Sequence, residues 1–171
     1  MAIRLEIHGR VSLARSFLTQ TLWMVAGKTS AWPDENNPTL PSGIETSVVD
    51  PQFAKKLSQI MNVYPGTSGN YDLEVEGTYW KIATTEAIAY ANSARYLYLK
   101  CLFSRLTGPS VEVRSFGIVS GLTCTPGNES SDLLLNTQIL SYGKLMWLDN
   151  RKRLDRDPDN QGEIFEYVLG F

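Results

Sequence analysis

Short runs with a period of two recur along this sequence, and none of them is long. Tyr71, Leu73 and Val75 alternate with Asp72, Glu74 and Glu76. Near the end, Phe165, Tyr167, Leu169 and Phe171 occupy every second position. Such spacing marks a strand with one packed face, because successive side chains leave a strand on opposite sides. Residues 1–9 show the same alternation, with Ile3, Leu5 and Ile7 set against Arg4, Glu6 and His8. Residues 21–27, 95–103, 111–122 and 143–149 read as further strands, the first of them apolar enough to be buried on both faces. Helical spacing is rarer. Val11, Ala14, Phe17 and Leu18 predict a short helix over 11–20. Residues 51–61, opened by Asp50 and Pro51, favour a second helix and also allow an irregular strand. Residues 86–94 have helical propensity among strands. The expected fold is mainly β: an antiparallel β-sandwich-like domain with one or two short helices, with residues 1–171 as a single structural domain.

One segment fits no regular element. Residues 31–44 contain Pro33, Pro38 and Pro41, each of which fixes φ and removes a backbone donor, so they form a long proline-rich surface loop. Trp32 opens it, a large rigid side chain suited to docking the loop onto its own body or into a neighbour. A second polar region lies between Lys144 and Glu166, where Asn150 to Gly162 reads as a charged connection. Five basic residues (Lys144, Arg151, Lys152, Arg153 and Arg156) are mixed there with six acidic ones. Balanced charge suits a solvated hairpin or an electrostatically matched protein surface, and does not suit a nucleic-acid groove. Trp32, Pro33, Pro38, Pro41, Arg151, Lys152, Arg153 and Arg156 are therefore the interface candidates.

Catalytic and ligand-binding constellations fare poorly. His8 is the one histidine, which removes a histidine metal cluster, and on the polar face of the first strand it reads as a surface residue. Cys101 and Cys124 read as two reduced thiols and not as a disulfide scaffold. Gly27-Lys28-Thr29 looks like the end of a phosphate loop, but Leu22 stands where the motif needs its first glycine. Asp155, Asp157, Asp159 and Glu166 have calcium-loop spacing, yet Asn160 replaces the turn glycine and the flanks are strands, so a solvated loop is the reading. No pair among the eighteen acidic residues stands out for carboxylate catalysis. A net charge of -2 gives no nucleic-acid footprint, and the apolar runs are broken well before the ~18 residues a membrane span needs. The expectation is no catalytic residue, no metal and no cofactor.

Two stretches carry a resemblance. The ending from Ser141 to Phe171, through Gly143, Leu145-Met146-Trp147, Asn150-Arg151, Asp159, Gln161, Glu163 and Phe171, resembles the C-terminus of the baseplate wedge subunit family of contractile-tailed bacteriophages. Gly27, Lys28, Thr29 and Trp32 are similar to that family's strand-to-loop segment, and Arg114-Ser-Phe-Gly-Ile-Val119 resembles its later strand. The resemblance implies a short, single-domain version of such a subunit. It would have no enzymatic activity, and would connect neighbouring wedge and tail proteins in a sixfold assembly. A homodimer is a further arrangement open to it. It would assemble in the host bacterial cytoplasm and reside in the tail baseplate of the virion. The alternatives are a neck or tail adaptor or terminator, and a small tail-associated carboxylate-dependent hydrolase.

Overall fold

The computed structural model describes residues 5–103, 109–156 and 163–171. The chain is mainly β with two short α-helices among those residues, and it divides into two compact units. The first comprises Met1–Gln20, Ser58–Cys101 and Ile164–Phe171, and the second Thr21–Leu57 and Leu102–Glu163.

In the second unit, β1 (Leu22–Gly27) lies between β2 (Phe53–Lys56) and β7 (Val111–Ser120), antiparallel to both. Outside these run β9 (Leu133–Leu135) and β11 (Lys144–Arg156), giving the order β11-β7-β1-β2-β9. Every residue of β1 is buried, which its central place and unbroken apolar run explain. Trp23, Val25, Val48, Ala54, Val119 and Leu134 form the core here. Gly117, in the middle of β7, is required by close packing: a Cβ there would stand 2.3 Å from Val48 Cγ2 and 2.7 Å from Leu145 Cδ1. A two-stranded sheet of β8 (Thr123–Cys124) and β10 (Ile139–Ser141) completes the unit.

The first unit carries a sheet of order β12-β6-β3-β5-β4, made from β3 (Gln59–Pro65), β4 (Leu73–Val75), β5 (Thr78–Ile82), β6 (Tyr96–Phe103) and β12 (Glu163–Gly170). Helices α1 (Ile7–Ser16) and α2 (Glu86–Ala91) accompany it. Thr85 caps α2, its Oγ1 accepting the Ile88 amide at 3.2 Å. Val11, Ala83, Ala89 and Ala94 form one buried cluster, and Val63, Val75, Trp80 and Tyr98 another.

Four expectations change. Residues 7–9 open α1 and do not end a strand, because Val11 and Ala14, three positions apart, are the fully buried residues; residues 1–4 lie outside the described part. Residues 51–61 form no helix and carry β2 and the start of β3: Phe53 and Ala54 are fully buried in β2, held between β1 and β9. Residues 150–156 continue β11 and are not a connection. Finally, β11 and β12 do not form a hairpin, since they belong to different sheets. Phe165 is 5% exposed, whereas Leu169 is half-buried. Phe165→Ala is expected to cost about 3–5 kcal/mol of unfolding free energy in urea denaturation, and Leu169→Ala clearly less.

Candidate protein interface

The proline-rich loop is held from inside the second unit. Its base is closed by the Lys28 amide donating to Val49 O at 2.6 Å and by the Thr29 hydroxyl on Asp50. Above the base, Arg114 of β7 is the organising residue. It is 3% exposed, and its guanidinium donates to three oxygens: Nη1 to Thr29 O at 2.6 Å, Nε to Glu35 Oε1 at 2.7 Å, and Nη2 to Glu112 Oε2 at 3.3 Å. A planar fork of donors suits such a site better than a lysine would. Glu35 Oε1 also accepts the Trp32 amide at 3.1 Å. Burial raises the Glu35 pKa, but the Arg114 hydrogen bond, the Trp32 amide and the Arg114 charge together hold it below the ordinary carboxylate value. Trp32 is fixed at its other end, its indole Nε1 donating to Arg151 O in β11 at 2.8 Å. Lys28 Nζ sits 4.2 Å from the Trp32 ring centroid.

The far half of the loop has its own supports. Asn150 of β11 donates through Nδ2 to Thr39 O at 2.8 Å and accepts the Ser115 hydroxyl at 2.7 Å. The next turn closes on Glu45: Oε1 accepts the Ser42 amide at 2.7 Å and the Ser42 hydroxyl at 2.8 Å, and Oε2 accepts the Gly43 amide at 2.9 Å. Gly43 has φ of +85°, so the turn needs glycine there. These donors, the Ser42 amide first, pull the Glu45 pKa from 4.5 down to about 2. A depressed carboxylate pKa means the ionised form holds the turn. The turn is therefore fully closed above about pH 4.5 and opens as pH falls through about 2. The Ser42 and Gly43 amide proton resonances are expected to move upfield across that window, and Glu45→Gln to give the low-pH positions at neutral pH.

What this scaffold holds out is apolar. Leu40 is 82% exposed and Ile44 83% exposed, within a loop tied at its base, at Glu35 and at Thr39. Beside it runs β11, an edge strand of thirteen residues whose ladder with β7 shifts register between Asn150 and Leu154. Arg151 pairs with Asp149, and Arg153 Nη2 reaches Glu112 Oε1 at 3.1 Å.

The candidates thus fall on one unit. Trp32 is half-buried against β11, Pro33 is exposed, and Pro38 and Pro41 are half-buried. Arg151 is half-buried, and Lys152 and Arg153 are exposed. Arg156 ends β11, and its side chain lies outside the described part, as do Asp157 and Asp159 of the calcium-like spacing. Arg114, Glu35 and Asn150 were missed by sequence reasoning, as were Leu40 and Ile44. The last two had a usable signal: they are the only large aliphatic residues between positions 31 and 47. Gly27-Lys28-Thr29 ends β1 in a turn, with Lys28 at φ of +56°. His8 is an exposed residue of α1, edge-on to Tyr90 at 5.3 Å. Among the described residues no group of three or more His, Cys, Asp or Glu could hold a metal ion, and no helix is long and apolar enough to cross a membrane.

This geometry defines a mainly β protein that holds a shaped surface loop and offers apolar side chains at its crest. A family model described as baseplate wedge 3 tail fiber network component matches residues 1–171, and the chain belongs to that family. Membership gives it a structural role in the baseplate wedge of a phage tail. No curated protein matches the chain.

Proposed function

We propose that this chain is a non-enzymatic joint of the baseplate, connecting neighbouring wedge and tail proteins within a sixfold assembly. Its contact surface is the loop from Trp32 to Ile44 together with the Arg151, Lys152, Arg153 and Arg156 stretch of β11. Assembly takes place in the host bacterial cytoplasm, and the chain needs no cofactor. The observation that carries this reading is the pairing of rigidity with exposure: Leu40 and Ile44 stand more than four-fifths exposed on a loop already fixed by Arg114, Glu35, Asn150 and Glu45. Ordering a loop on binding costs free energy, and here that ordering is complete before a partner arrives. Apolar anchors surrounded by polar and charged residues are the pattern of a central contact with a wet rim.

An electron-microscopy map of the assembled particle tests this directly. The expected result places the chain in the wedge, with Leu40 and Ile44 covered by a neighbouring protein. Density for the chain at the neck, or a wedge position that leaves the loop bare, overturns it.

A further inference from the structure

The second unit holds a cavity of about 220 Å³ just beyond the proline-rich loop. Its floor is the core itself: Val25 and Val119 line it, 0% and 2% exposed. Val48 and Leu145 of β11 form its sides. The ring of Tyr142 is held beside them, its hydroxyl donating to Asn136 Oδ1 at 2.8 Å. The limb of chain that carries Val48 is pressed onto the sheet. Glycines at 27 and 117 make room for it, and a Cβ at Gly27 would stand 2.7 Å from Val48 Cγ1. The cavity is therefore preformed. Thr46 and Ser47 are exposed at its rim, and their hydroxyls make no hydrogen bond among the described residues.

We infer that this cavity receives one uncharged aliphatic side chain from a neighbouring wedge protein, so that the contact surface has a hole as well as a crest. The inference rests on the reading of the loop as a contact surface, and continuity with that surface supports it. Thr46 follows Ile44 by two positions, and two residues of chain span at most ~7 Å. A neighbour that covers Ile44 therefore reaches the rim. The lining selects the chemistry of the occupant. Among the described residues that line the cavity none is charged, so a carboxylate, ammonium or guanidinium inside it would lose its water without gaining a counter-charge. Water on the floor finds no partner either, since valine and leucine side chains offer it no hydrogen bond. An apolar cavity of ~150 Å³ accepts benzene. A leucine or isoleucine side chain is no larger, so one fits a space of about 220 Å³. The Thr46 and Ser47 hydroxyls are placed at the rim to bond the neighbour's backbone where that side chain enters.

Thr46→Trp and Ser47→Trp each place an indole over the mouth of the cavity and test this in wedge complexes reconstituted from the purified full chain and the other wedge proteins, read by sedimentation. The expected result is association weakened about tenfold or more in each variant, the loss of one buried aliphatic anchor, at melting temperatures that match the parent. The electron-microscopy map of the assembled particle should show an aliphatic side chain of a neighbour between Val119 and Leu145, and it decides the matter where a variant melts early. Full association of both tryptophan variants, beside loss of association in the Leu40→Glu and Ile44→Glu pair, overturns the hole and keeps the loop contact. Full association of all these variants overturns the hole and the loop contact together. Loss in the tryptophan variants alone keeps the hole and removes the crest. A charged side chain, solvent alone, or a second copy of this chain seated in the cavity overturns the inference.

Discussion

Arg114→Ala will lower the unfolding free energy by about 2–3 kcal/mol, and it will free the proline-rich loop. The guanidinium is almost wholly buried and ties three segments together: the Thr29 carbonyl, the Glu35 carboxylate and Glu112 on its own strand. Removing one partner of a fully buried pair costs about 3–5 kcal/mol, because the other charge is stranded. Here Glu35 and Glu112 are 36% and 44% exposed, so solvent relieves part of that loss. Urea unfolding reads the stability. Limited proteolysis between Trp32 and Ile44 reads the loop, and cleavage should accelerate under conditions where the variant is still folded. Arg114→Lys should rescue only part of the effect, since a single ammonium cannot address three oxygens in a plane. A stability change below about 0.5 kcal/mol would show that the loop stands without this residue.

The double substitution Leu40→Glu with Ile44→Glu will act in the opposite sense, leaving the fold intact and weakening association with wedge partners about a hundredfold or more. Both side chains are over four-fifths exposed, so the monomer loses almost no buried area, and its unfolding free energy should stay within about 0.5 kcal/mol of the parent. At a contact the same change removes two aliphatic anchors and places two carboxylates where they would be desolvated. Reconstitution of wedge complexes followed by sedimentation measures it. Unchanged assembly would move the contact away from the crest of the loop. Arg114→Ala and this pair therefore separate two roles: one variant loses the support of the loop, the other what the loop presents.

Much of the β architecture was legible because burial and pattern coincide. Continuous apolar residues over 22–27 signalled a strand covered on both faces, and β1 is central. Misreadings arose where local pattern and tertiary position disagree. Phe53, Ala54 and Leu57 fit a helical stripe as well as a strand, and only pairing with β1 and β9 decides. Residues 150–156 looked like a connection because charged side chains dominate them, yet an edge strand tolerates charges on its solvent side. The loop candidates show the same division. Trp32 and the prolines announce themselves by residue type. Arg114 does not, since its importance comes from Glu35, seventy-nine positions away, which no local spacing reveals.

A thirteen-residue strand at the end of a sheet, such as β11, is also a hazard, for a sheet edge can template pairing with an exposed strand of another chain. This one is insulated. Arg151, Lys152 and Arg153 crowd its middle, the register shift there breaks the regular ladder, and the Trp32 indole occupies the Arg151 carbonyl. The same residues that shape the contact surface thereby keep unassembled copies from aggregating through their edges, so solubility before assembly and recognition during it are two consequences of one stretch of strand.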